Sequence, residues 1–237
     1  MRSTIIDNVE IHDEAYISSA VNKYMTSVFG WMSAALAITA FTALFVASSQ
    51  TLLELIIGNR IVFYALIGAE LLLVIGIGSL INRISAAVAT ALFLLYSIVN
   101  GATLSFIFLA YTSGSIATTF FITAGTFSVM ALAGYFTKKD LTTMGGLLIM
   151  ALVGLILASL VNMFLQSELL YWISSYIGVI VFVGLTAYDT QKIKNIGIEA
   201  IRNDTSTAKI AILGALSLYL DFVNLFLYLL RLFGNRK

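Results

Sequence analysis

Seven stretches of about 20 to 27 residues, at Tyr24–Ser48, Ile61–Ile81, Ser85–Tyr111, Ile116–Phe136, Met144–Leu165, Leu169–Tyr188 and Ile210–Leu230, are apolar enough to cross a bilayer, whose hydrocarbon core takes about 20 helical residues. Water is absent there, so each span must satisfy its own backbone amides and carbonyls, which a helix does. Apart from the connection before the last span, the links run from about three to about a dozen residues, and such links force antiparallel neighbours. The expected fold is therefore all-α and polytopic: one domain of seven transmembrane helices over residues 24–233, a polar cytoplasmic tail at 1–23 and a short basic tail at 234–237.

Composition closes several other routes. The chain of 237 residues is 60% hydrophobic and 11% charged, and its mean hydropathy of +0.99 excludes a soluble domain. With no cysteine and a single histidine, His12, in the polar tail, disulfides and thiolate metal sites are excluded, no resident cofactor is expected, and any metal would be held by oxygen. A net charge of +1 carries no signal for nucleic acid. The first 23 residues hold Asp7, Glu10, Asp13 and Glu14 without an apolar run, so no cleavable signal peptide is expected and the first span acts as the insertion signal. There is no proline, so any helix break must come from glycine or an inserted side chain. Gly125, Gly134, Gly145, Gly146, Gly154 and Ser159 read as positions of close helix approach.

Orientation follows from Lys and Arg. Arg2, Lys23, Arg83, Lys138, Lys139, Lys192, Lys194, Arg202 and Lys209 fall on the N-terminal side, against Arg60, Arg231, Arg236 and Lys237 on the other, which predicts a cytoplasmic N-terminus. Three of the four opposing charges lie at the end of the chain, and a seventh segment that enters and returns would fit the charge rule better.

Carboxylates inside the spans carry the functional signal. Asp221 lies within the last apolar stretch, Asp189 closes the one before it, and Glu70 sits in the middle of the second. An ionised carboxylate near the bilayer centre costs at least about 2.5–3.5 kcal/mol, and the usual reason for accepting that cost is an ion or proton pathway. The bland alternative is an acid satisfied by nearby backbone or hydroxyl groups. Ser217, Asp221, Asn224, Tyr228 and Arg231 are spaced by four, three, four and three residues, which lines them along one helical face. Asn224 and Tyr228 join Glu70 as pathway candidates, while Asn100 and Asn162 read as interhelical hydrogen-bonding groups.

Asp189 lies three residues, about 4.5 Å, from Lys192, whereas Asp221 lies twelve residues, about 18 Å, from Lys209. The two depths meet if residues 209–215 run along the interface and the last crossing begins near Leu216. Once adjacent, two carboxylates cannot both ionise cheaply, so the pair shares a proton and its loss drives the helices apart. Four carboxylate oxygens are fewer than the six to eight of a tight calcium site, which favours transient cation passage over storage. Arg83 follows the second span on the Asp189 side and is either a partner for that acid or a positive-inside anchor.

The segments Gly178–Lys194 (GVIVFVGLTAYDTQKIK) and Ala215–Gly234 (ALSLYLDFVNLFLYLLRLFG) resemble the signature of the Bax inhibitor-1 family, the transmembrane Bax-inhibitor-motif proteins, in its bacterial branch; the likeness includes Tyr24–Met32 and Tyr135–Leu141. The resemblance implies a seven-helix fold with the last helix central, an inner-membrane location, and a pH-sensitive calcium leak governed by two aspartates, which fall on Asp189 and Asp221. It places the family's arginine near Arg83 and makes the Lys194–Lys209 connection longer than in some bacterial relatives. A role in modulating a membrane-bound quality-control protease is also implied for this branch. Two other classes are disfavoured by residues. An intramembrane aspartyl protease needs a Gly-x-Gly-Asp run, but Asp221 follows Leu218-Tyr219-Leu220; a retinal protein needs a lysine inside the last span, which has none.

Overall fold

The computed structural model describes residues 2–237, with side chains from Glu14 onward, so Arg2, Asp7, Glu10, His12 and Asp13 lie outside the described side chains. The chain forms α1 (Arg2–Ala47), α2 (Gln50–Ile56), α3 (Arg60–Leu80), α4 (Ala86–Leu104), α5 (Ile107–Ala110), α6 (Ser113–Phe136), α7 (Thr142–Leu165), α8 (Glu168–Arg202) and α9 (Ala208–Phe233). Seven segments are long and apolar enough to span a membrane, α4 and α5 together making one of them. The protein is an all-α polytopic membrane protein.

Several starts are written in the sequence. Asn59 accepts from the Ile61 and Val62 amides ahead of α3, Ser85 from Val88 ahead of α4, Thr112 from Ser115 ahead of α6 and Ser167 from Leu170 ahead of α8, each relieving an orphan donor of the first turn. The third expected span is interrupted after Leu104 without proline or glycine at the break. There Ser105 Oγ donates to the Ala102 carbonyl at 2.7 Å and Thr103 Oγ1 to Val99 at 3.1 Å, the hydroxyl back-bonding that competes with a helical ladder.

The last helix is the centre of the bundle. α9 packs on α8, α1, α6 and α4, whereas α3 rests on α4 and α2, and α7 on α8. Burial within the bundle follows the same order: 67% of the most apolar window of α9 is buried, against 6% for α3 and for α7. Tyr219 and Leu218 are wholly buried, with Tyr219 edge-on to Phe93 and Tyr96 of α4. α9 is one unbroken helix, and its Arg231 reaches the ring of Tyr171 at the start of α8. It therefore crosses the bundle completely, which removes the re-entrant alternative.

Two other expectations change. The first span extends back through Glu14–Lys23, which continue α1 as helix rather than forming a separate tail. Most of the supposed Lys194–Lys209 connection is also helix: α8 runs on to Arg202, and only residues 203–207 link it to α9.

Of the glycines expected at helix contacts, Gly134 and Gly145 are such positions. A Cβ on Gly134 would collide with the Ala187 carbonyl of α8, and one on Gly145 with the Tyr188 ring. Gly125, Gly146 and Gly154 have open space where a Cβ would go.

Candidate functional site

α8 and α9 run antiparallel, and their acids lie at matching heights. Asp189 is thirteen residues before the end of α8 at Arg202, and Asp221 thirteen residues after the start of α9 at Ala208. The depth conflict is thus removed by the length of α8; no interfacial stretch at 209–215 is needed, since those residues belong to the continuous α9. Ser217 Oγ donates to Asp189 Oδ2 at 2.6 Å. Asp221, one turn along from Ser217, is 5% exposed, and its buried Oδ2 has no hydrogen-bond partner. The two carboxylates are not bonded to each other among the described contacts; they face one cavity of about 790 Å³.

That cavity also receives Glu70 of α3, together with Ser217, Asn224 and Tyr228 of α9. Four of the five residues of the polar face therefore line it, from Ser217 to Tyr228 over roughly 16 Å of helical rise. Its remaining walls are largely apolar, with Tyr96 of α4 and Phe182 and Leu185 of α8 on the inner side and, from α3 and α7, Leu71, Ile75, Ile156 and Leu160, which are also exposed on the outer surface of the bundle. The open side of the cavity lies between those two outer helices.

Glu70 is held from behind. Its Oε2 accepts from Asn100 Nδ2 at 3.2 Å, while Oε1 is buried without a partner. Asn100 Oδ1 accepts from Tyr219 Oη at 2.9 Å; Tyr219 in turn meets Thr39 Oγ1 at 2.6 Å, and Thr39 reaches the Ser97 carbonyl at 2.9 Å. Two hydroxyl protons serve three contacts in this chain, so one contact always lacks its proton. Asn100 acts between helices as expected. Asn162 does not: its Oδ1 accepts from the Ser167 amide and closes the turn from α7 to α8.

Arg83 is not part of the cavity. It stands exposed at the turn between α3 and α4, and the cation at the Asp189 end of the cavity is Lys192, whose ammonium lies 5.7 Å from the centre of the Tyr188 ring. At the other end Tyr228 stacks on Phe182 and carries the Arg231 guanidinium 5.1 Å from its ring centre. A Cβ on Gly178 would strike that tyrosine ring, so the bare glycine makes room for the wall of the site. Among the described residues no three of His, Cys, Asp or Glu group closely enough to hold a metal ion. Glu70, Asp189 and Asp221 line one cavity without converging on one ion.

Sequence reasoning passed over Gln191. Its Oε1 accepts from the Leu141 amide at 2.9 Å and its Nε2 donates to the Lys139 carbonyl at 2.8 Å, tying the α6–α7 loop to α8 two residues beyond Asp189. On the same loop, the Thr142 hydroxyl and amide both donate to Asp140 and hold its carboxyl below the usual aspartate range. Gln191→Ala strands a carbonyl and an amide in a half-buried place, so thermal unfolding in detergent should show a loss of about 1–3 kcal/mol. An unchanged midpoint would mean that the loop holds itself.

The fold and cavity define a class: a polytopic helical membrane protein whose central helix and two other helices each present one acid to a cavity within the helical bundle. The sequence profile described as "Inhibitor of apoptosis-promoting Bax1" matches residues 21–237. The protein is 55% identical to the inner membrane protein YbhL of Escherichia coli strain K12 over 220 residues, which cover 92% of this chain and 94% of that one. It is 49% identical to a protein of Borreliella burgdorferi, over 91% of this chain and 93% of that one. A membrane protein of Streptococcus pyogenes serotype M1 is 33% identical over 91% and 93% of the two chains. The chain belongs to the Bax inhibitor-1 family.

Proposed function

We propose that the protein is a pH-sensitive, calcium-permeable leak of the bacterial inner membrane, in which Asp189 and Asp221 are the sensing pair and Glu70, Asn224 and Tyr228 line the path. The observation that carries this reading is the shared cavity: three acids from three helices face it, and two of their oxygens, Asp221 Oδ2 and Glu70 Oε1, are buried without partners. Such oxygens suit a proton or a passing cation. Loss of the shared proton places like charges on α8 and α9, which pack closely along their length, and repulsion between them opens the path. Calcium is a passing ion in this reading and there is no resident cofactor or enzymatic step. The distribution of Lys and Arg favours a cytoplasmic N-terminus, and the name of the YbhL relative supports the inner membrane. Lys192, rather than Arg83, is the cation placed to interact with the pair.

Proteoliposomes loaded with a calcium-sensitive dye and stepped between about pH 6 and 8 test this directly. Flux above that of protein-free vesicles, increasing with pH, is expected. Flux equal to that of empty vesicles at every pH would remove the leak and leave the regulatory reading, in which the bundle binds a membrane-bound quality-control protease.

A further inference from the structure

A second pocket, of about 600 Å³, lies at the opposite end of α9 from the α8–α9 link, where the end of α7, the start of α8 and the end of the chain meet. Arg231 and Arg236 line it with Tyr171, Trp172 and Glu168. Both guanidiniums lie over the same ring: Arg231 Cζ is 5.7 Å and Arg236 Cζ 5.4 Å from the centre of Tyr171. Arg236 Nη2 also donates to Tyr171 Oη at 2.6 Å, whereas Arg231 makes no hydrogen bond among the described contacts. Glu168 is the only acid in the lining, so the pocket carries excess positive charge.

Arg236 is fixed despite lying near the end of the chain. Its neighbours bond to the segment before α6, with the Thr112 amide donating to the Asn235 carbonyl and the Lys237 amide to the Ala110 carbonyl, both at 3.1 Å. Beside the pocket, Phe164, Leu165 and Leu169 are 79%, 62% and 69% exposed, an apolar flank suited to hydrocarbon. Tyr171 and Trp172 stand where aromatic side chains mark the headgroup level.

We propose that this pocket binds the phosphate of an anionic glycerophospholipid in the leaflet at the C-terminal end of α9. Arg231 and Arg236 share the phosphodiester oxygens, a group that the planar guanidinium fork matches well. The acyl chains lie along Phe164, Leu165 and Leu169. This site is separate from the acid cavity and stands whether or not the protein leaks calcium.

Trp172 gives the readout. In a Trp31→Phe background it is the sole tryptophan, and its quenching by brominated phosphatidylglycerol can be compared with quenching by brominated phosphatidylcholine in nanodiscs of mixed lipid. At roughly 1 kcal/mol per basic residue near the surface, each guanidinium should contribute about a fivefold preference for phosphatidylglycerol. The double variant Arg231→Gln, Arg236→Gln should lose the preference, and Glu168→Gln, which removes the opposing charge, should strengthen it. Equal quenching by the two lipids in the parent protein would overturn the proposal, as would a preference unchanged by Glu168→Gln or retained in the double variant. Relief of the phosphatidylglycerol quenching by millimolar inorganic phosphate would assign the pocket to a free anion and also overturn it.

Discussion

Asp221→Asn and Asp189→Asn, each made singly, are expected to flatten the pH dependence of calcium leak across about pH 6 to 8 and to leave a closed, low-flux protein. Either change keeps the size of the side chain and removes one of the two charges whose repulsion, in the proposed mechanism, opens the path. The structure separates the variants in their local contacts. At position 189 the Ser217 hydroxyl still finds an amide oxygen to donate to, so its 2.6 Å bond has a replacement. At 221 the side chain is buried and Oδ2 already has no partner, so the substitution breaks no side-chain hydrogen bond there. Both should lose pH sensing. A variant that follows the wild-type profile, in flux per protein across the whole range, would remove its aspartate from the sensor.

Gly134→Ala is expected to be among the most damaging small substitutions in the bundle. The added Cβ meets the Ala187 carbonyl oxygen, part of the backbone of α8, and backbone cannot rotate away as a side chain can. α6 and α8 would have to part by on the order of an ångström, with a cost of about 1–3 kcal/mol. Ala187 lies two residues before Asp189, so the displacement also enters the site. Gly125→Ala, on the same helix with open space at its Cβ, is the matched control and should be neutral or stabilising by up to about 1 kcal/mol through helix propensity. Detergent unfolding midpoints for the pair measure the difference; equal midpoints would show that α6 and α8 are not in close register at Gly134.

The spans and the polar face of α9 were legible because both are periodic properties of a single segment. Apolar length fixes a crossing, and the spacing of Ser217, Asp221, Asn224 and Tyr228 fixes a face whatever surrounds it. What depends on a second helix was less legible. Asp189 looked shallow because Lys192 was read as the membrane boundary, yet α8 carries that lysine at the edge of a cavity and continues to Arg202. Arg83 is placed by its side of the membrane and by resemblance to the family, neither of which fixes a contact, and the turn after α3 leaves it exposed. Gln191 and Tyr219 gave no local signal: one is a polar residue in a polar run, the other an aromatic among leucines. Their roles come from groups 50 and 119 residues away in the chain. Glycine was ambiguous for the same reason, since Gly125 and Gly134 differ only in what faces them.

α3 and α7 each lean on a single neighbouring span and leave the cavity open between them. The protein therefore supplies only part of the enclosure around Glu70, Asp189 and Asp221, and the rest is left to whatever surrounds the bundle. A bilayer, a nanodisc and a detergent micelle build that last wall from different material, with different thickness and water content, and so set different dielectric surroundings for the same three acids. If the site titrates as proposed, its proton occupancy is a joint property of the chain and its solvent membrane, and a titration performed in micelles describes a different assembly from the one in lipid.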